Sequence, residues 1–248
     1  MQPSYPAITD LVLIGGGHTH ALVLRQFAMR PLPGLAITVI NPDPAAPYSG
    51  MLPGHVAGHY ARDEMMIDLM RAARAAGARL ILDRVTGIDR AAQRIHLASG
   101  RAALAYDLAS VDVGITSDLP NLPGFAEHTI PAKPLGAFLT AWNAFVARGL
   151  ATPRIAVLGA GLGGMELAFA MHHRLTTLGR APQVTVLCRT GQAAAGVGRQ
   201  AQASLLAQAR ARGIEIVEGA KAVAAQDGAF LLADGRHVQA DFLLVVAG

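Results

Sequence analysis

Residues 154–164 read Arg154-Ile155-Ala156-Val157-Leu158-Gly159-Ala160-Gly161-Leu162-Gly163-Gly164. The short apolar run has the character of a buried parallel strand. It leads into a loop with glycine at the first, third and sixth places. The first glycine permits a tight turn, the next lets a pyrophosphate approach the backbone, and the last lets helix and strand pack closely. Unpaired N–H groups and the helix dipole favour an anion at such a helix start. The stretch therefore predicts a strand–loop–helix unit that binds a dinucleotide.

A similar loop stands 144 residues earlier, after the apolar run Ile8 to Ile14: Gly15-Gly16-Gly17-His18-Thr19-His20. Its third position is His20, so alone it is the weaker signal. Two glycine loops, each directly after a strand, make the dinucleotide reading far stronger than either would alone. Around the first loop the sequence predicts a helix over His18 to Met29 and a strand over Ala36 to Ile40. Asn41 to Tyr60 reads as an irregular loop rich in Pro and Gly. A helix follows, with Asp63 as N-cap and Gly77 after its last turn, then short strands from Leu80 to Val113. The prolines 120, 123, 131 and 134 mark a crossover segment. Pro134 suits a first helical position and Gly149 the residue after the last turn. Around the second loop come a helix to about Leu178, a strand over Gln183 to Cys188, and a helix ending at Gly213.

The repetition extends to single residues. Leu97-Ala98-Ser99-Gly100-Arg101 is echoed 135 positions later by Leu232-Ala233-Asp234-Gly235-Arg236. An aspartate follows each copy (Asp107, Asp241), then an apolar strand ending at Gly114 or Gly248. Two such units predict an α/β chain with two Rossmann-like domains, each with a central parallel sheet and a β-meander crossover. The expected division is 1–118, a crossover segment over 119–150, and 151–248.

Composition narrows the function. Of the 248 residues, 52% are hydrophobic and 15% charged, which excludes disorder. No apolar run approaches the ~18 residues of a spanning helix, and a secretory signal is not expected, since no basic region precedes an apolar stretch in residues 1–10. The net charge is +4, but the arginines are scattered and no aromatics interleave with them, so nucleic acid is not an expected partner. The single cysteine, Cys188, excludes a disulfide framework or a paired-cysteine centre and points to the reducing cytoplasm. His55 and His59 have helical ligand spacing, but Pro53, Gly54 and Gly58 argue against a helix there, so no metal is expected.

With these motifs the chain resembles the pyridine nucleotide-disulfide oxidoreductase superfamily of flavoproteins, in which FAD occupies the first fold and NAD(P)H a second fold inserted in it. The glycine loop at 15–20 and Pro47-Tyr48-Ser49-Gly50-Met51-Leu52-Pro53-Gly54 most resemble the flavin domain fused to bacterial selenophosphate synthases. Type II NADH dehydrogenases are more distantly similar. The resemblance implies that 1–118 is the N-terminal part of the FAD-binding domain and 151–248 the NAD(P)-binding domain. Gly15, Gly17 and His18 would then lie at the FAD pyrophosphate. Asn41 would stand where relatives carry an acid for the ribose, Val85 at the adenine, and Tyr48 and Gly50 near the isoalloxazine. Gly114 would be the strand end passing the FAD, with Gly248 its counterpart in the second fold.

Gly159, Gly161 and Gly164 would hold the NAD(P)H pyrophosphate, and Arg189, where an acid is usual, would face a 2′-phosphate. Glu166 matches a glutamate near nicotinamide and flavin; its alternative is a first-turn glutamate stabilised by the helix dipole. Lys133 is a candidate charge near the flavin, or a solvated crossover lysine. The implied activity is hydride transfer from NAD(P)H to flavin and on to a small-molecule acceptor. Dithiol chemistry is excluded, because the paired cysteines of the disulfide-reducing members are missing. A homodimer and peripheral membrane contact remain open. The chain stops at Gly248, where relatives return to the first fold. The C-terminal part of the family fold is therefore expected to be missing and FAD to be held weakly. The rival reading is a truncated, non-catalytic dinucleotide-binding module, accessory to selenium metabolism.

Overall fold

The computed structural model describes residues 9–114, 121–189, 191 and 193–246. They fall into two compact units, one of residues 9–49 and 62–114, the other of 50–61 and 121–246. The described residues begin with β1 (Thr9–Ile14), α1 (His18–Met29), β2 (Leu35–Asn41) and β3 (Ala45–Pro47), then α2 (Leu52–Ala57), which belongs to the second unit. The first unit resumes with β4 (Met66–Asp68), α3 (Leu69–Ala75), β5 (Arg79–Leu82), β6 (Val85–Asp89), β7 (Arg94–Leu97), β8 (Leu104–Ala105) and β9 (Leu108–Val111).

Its centre is a parallel sheet in the order β5-β2-β1-β9. Because side chains alternate along a strand, β1 serves two layers. Leu13 packs with Val39 and Leu24 beneath α1 and α3. Val12 and Ile14 pack with Ile40, Ile95 and Leu97 beneath the antiparallel meander β6-β7-β8.

The second unit continues with α4 (Phe125–His128), β10 (Ile130–Pro131), α5 (Leu135–Ala147), β11 (Arg154–Leu158), α6 (Leu162–Thr177), β12 (Gln183–Cys188) and α7 (Arg199–Ala211). It closes with β13 (Glu215–Glu218), β14 (Ala222–Gln226), β15 (Ala229–Leu232), β16 (His237–Gln239) and β17 (Phe242–Val245). Its parallel sheet has the order β10-β17-β11-β12-β13, again with a meander, β14-β15-β16. Phe125, Phe230, Leu232, Leu243 and Val245 fill the space between sheet and meander. Trp142 and Phe145 of α5 meet Phe242 of β17, with ring centroids 5.0–5.9 Å apart. The α/β class, the parallel sheets and the β-meanders agree with the Rossmann-like expectation.

Two local expectations are corrected. Residues 41–60 are not irregular: they hold β3, a 3₁₀ turn over Ser49–Met51, and α2. Pro53 sits in the first turn of α2, where its missing N–H has no helical partner to lose. Gly58 ends that helix in the left-handed conformation (φ +87°). His55 is thus helical and His59 lies beyond the helix end, so the pair does not share one helical face. The helix expected from Asp63 starts only at Leu69, because Met66–Asp68 pairs with Ala45–Pro47. Asp68 is the actual N-cap, accepting the Arg71 N–H at 2.9 Å.

Candidate nucleotide sites

In the first unit, Gly15 follows β1 at φ +94°, donates its N–H to Ile40 O at 2.8 Å, and leaves no room for a Cβ against Asp112 O. Gly17 is the N-cap of α1. A side chain there would collide with the Asp112 carboxylate, whose Oδ2 accepts the His20 N–H at 3.0 Å. His20, at the third loop position, is 1% exposed. Its Nδ1–H donates to Gly15 O (2.8 Å) and its Nε2 pairs with the Ser110 hydroxyl (2.9 Å). The ring fills the space that a third glycine would leave for close helix–strand packing, and satisfies its own polar atoms while doing so.

Asn41 closes the loop from β2. Its Oδ1 accepts the Gly16 N–H at 2.9 Å and its Nδ2 donates to Asp43 O at 2.8 Å. The His18 ring lies 5.8 Å from that of Tyr48. Gly15, Gly17, His18, Asn41 and Tyr48 are therefore gathered around one loop. Val85, expected to face the adenine through its backbone, opens β6 with its side chain packed on the meander core. Gly114 stands in open space two residues beyond Asp112.

The second unit repeats the geometry without the obstruction. Gly159 turns at φ +117° and donates to Leu187 O at 3.0 Å. A Cβ on Gly164 would overlap Gly159 O, so the third glycine is a packing requirement. Gly161 is the N-cap of α6, receives no side-chain cap, and has nothing within 4 Å of where a Cβ would stand. The α6 N-terminus is thus a ready anion cradle. Glu166 is exposed on the second turn of α6, and the first turn holds no acid. This corrects the first-turn dipole alternative, since that effect falls off within the first turn.

Arg189 is exposed just after β12, beside β11. Gly50 falls in the 3₁₀ turn before α2. Lys133 is half-buried between β10 and α5 and makes no ion pair among the described residues. Gly248 lies outside the described residues. Among those described, no group of three or more His, Cys, Asp or Glu is placed to hold a metal ion. Cys188 is buried at the end of β12. No helix among the described residues is long and apolar enough to cross a membrane.

Asp112 is the residue that sequence reading missed. The internal repeat held the signal: Asp112 N–H donates to Ile14 O and Val246 N–H to Leu158 O, each at 2.8 Å, so the two positions are equivalent. The first copy carries a carboxylate where the second carries valine. By the same observations both loops have the backbone course for a dinucleotide. The second presents a helix start without a side-chain cap among the described residues, and the first already holds a carboxylate against its helix.

The sequence pattern of the pyridine nucleotide-disulphide oxidoreductase family matches residues 9–248. The chain belongs to that family. Its members bind FAD and NAD(P)H, the cofactors that two glycine loops imply. A search of the curated proteins returned no match.

Among solved structures, the chain is similar to reduced Bacillus anthracis CoADR-RHD (TM-score 0.83, 17% identity), covering 99% of this chain and 44% of that one. It is similar to NDH2 from Plasmodium falciparum in complex with NADH (TM-score 0.81, 12% identity), covering 97% and 55%. It is also similar to an NAD-dependent persulfide reductase from A. fulgidus (TM-score 0.80, 20% identity), covering 96% and 46%. The chain thus spans about half the length of these proteins, and the likeness is one of fold.

Proposed function

We propose that this chain is the nucleotide-binding part of an FAD-dependent oxidoreductase that takes hydride from NAD(P)H and passes electrons to a small-molecule acceptor. The observation that carries the reading is the duplicated strand–glycine loop–helix, with Gly15 and Gly159 in equivalent turns. The first unit would take FAD through Gly15, Gly17 and His18, with Tyr48 and Gly50 toward the ring end. The second would take NAD(P)H, with the amides after Gly161 on the pyrophosphate. When bound, the flavin supplies hydride acceptance and the onward release of electrons. The protein's own part is positioning and electrostatics. The Asn41 amide braces the first loop from beneath, and Glu166 offers a negative charge one turn beyond the second.

Each similar structure named above is a redox protein, which favours the enzyme over a non-catalytic module. The absence of paired cysteines supports chemistry other than dithiol exchange, and the motif likeness supports kinship with the flavin domains fused to selenophosphate synthases. A cytoplasmic place and the absence of nucleic-acid partners agree with the single cysteine and the scattered arginines. The test is absorbance at about 450 nm of the protein reconstituted with FAD. Bleaching on anaerobic addition of NAD(P)H, slowed ~10-fold or more in Glu166→Gln, is the expected result. Bound FAD that NAD(P)H never reduces would end the enzyme reading.

A further inference from the structure

Within the second unit, α2, α5 and α6 line a half-open pocket of about 280 Å³, and no residue of either glycine loop is among those that line it. Its polar lining is His55, His59, Tyr60, Asn143 and Arg174, with Trp142 in the wall, and among the described residues that line it there is no aspartate or glutamate. Arg174 is half-buried and enters neither ion pair found among the described residues. A guanidinium keeps its charge at any physiological pH. Drawn partly out of water without a carboxylate, it is stabilised by whichever anion reaches it.

The guanidinium lies over Gly58, where any Cβ would collide with it. His55 is set by the Tyr60 carbonyl, which accepts from its Nδ1 at 2.9 Å and leaves Nε2 as the ring's remaining polar atom. The Tyr60 ring rests on Gly54, and the His59 ring lies 5.0 Å from that of His173. Arg174 is twelve residues beyond Leu162 on α6, about 18 Å along the helix from the glycine loop. A ligand here would not be the dinucleotide's pyrophosphate.

We propose that this cavity binds a small anion carrying a carboxylate or phosphate group, with the Arg174 fork on its oxygens and the imidazoles, phenol and carboxamide around it. The volume lies just below the ~300 Å³ at which drug-sized sites begin, so the ligand is a compact acid of a few carbons or a small phosphate. Trp142 is the protein's single tryptophan, so its fluorescence reports on this wall.

The experiment titrates the protein with malonate and, separately, with inorganic phosphate, against sodium chloride of equal ionic strength. The expected result is a saturable change in Trp142 fluorescence with at least one of them. Response to malonate alone assigns a carboxylate ligand, to phosphate alone a phosphate, and to both any compact oxyanion. Arg174→Gln should weaken the midpoint about tenfold or more, and Asn143→Asp, which adds a carboxylate to the lining, should do the same without touching Arg174. Phosphate bound at a glycine loop would not respond to either substitution. If chloride reproduces the signal, or a variant with parental circular dichroism keeps the parental midpoint, the proposal is wrong.

Discussion

Gly161 has φ −66° and ψ 177°, extended backbone open to any residue, with clear space where a side chain would go. Gly161→Val should therefore fold with a melting temperature within about 2 °C of the parent, since a change that neither clashes nor strains leaves stability within ~0.5 kcal/mol. It should nevertheless lose NAD(P)H binding, because the side chain occupies the pyrophosphate's approach. Gly164→Ala should do the reverse damage, lowering the melting temperature by several degrees through its clash with Gly159 O. Parallel melts and nucleotide titrations separate the two, and a G161V protein that melts with G164A would refute the distinction. In the first unit, a pyrophosphate held at the loop as proposed would meet the like charge of the Asp112 carboxylate at the α1 N-terminus. Asp112→Asn keeps an acceptor for the His20 N–H while removing the charge, and should tighten FAD by about 3- to 10-fold at low salt, less so at high salt. Unchanged or weaker FAD binding in a fluorescence titration would show that the carboxylate does not oppose the ligand.

Among the elements, the strand pairs β1–β9 and β11–β17 are tied by the same device. Asp107 accepts the Asp10 N–H at 2.7 Å and Asp241 accepts the Arg154 N–H at 2.9 Å. Asp241 also holds the Arg154 guanidinium at 3.0 Å, which keeps its carboxyl below the usual carboxylate range. A lowered carboxylate stabilises the fold above the ordinary range, and that stability is lost as pH falls through the lowered value. Asp241→Ala should thus cost about 1–2 kcal/mol at pH 7, or about 2–8 °C in melting temperature, and the gap should narrow near pH 3. Melts at the two pH values check this, and a gap independent of pH would leave only the lost backbone contact. The element pattern itself was largely legible. Apolar runs at 154–158 and 183–188 became β11 and β12, and Gly77, Gly149 and Gly213 each follow a helix end in the left-handed conformation. The miss over 41–60 came from reading Pro53 and Gly58 as breakers when they are the start and stop of a short helix.

For the whole molecule, two loops imply two separable ligands. Saturating FAD and saturating NADPH, each near 100 times its Kd, should each add about 2.7 kcal/mol of stability. The NADPH increment should vanish in Gly161→Val while the FAD increment remains. With NADH at the same concentration in place of NADPH the increment should be smaller, and Arg189→Ala should remove the difference, since a charge-assisted contact to a 2′-phosphate is worth ~1.5–3 kcal/mol. Scanning calorimetry with each ligand is the measurement. Loss of both increments in G161V would mean that the two sites are not independent.

The sequence by itself determined the α/β class, the duplication and the placing of both glycine loops, because these follow from local periodicity and from backbone conformations that only certain residues allow. It also determined that His20 departs from the loop pattern. Only the tertiary structure decided what that departure means: a buried ring bonded to Gly15 O in its own loop and to Ser110 Oγ, ninety residues away in sequence. The same holds for Asp112, whose carboxylate meets the α1 N-terminus, and for Arg174, brought against Gly58 by the packing of α2 on α6. Such contacts join residues far apart along the chain, and no local pattern encodes them. They depend on how twisted sheets and packed helices fill space, which is settled when the whole core closes.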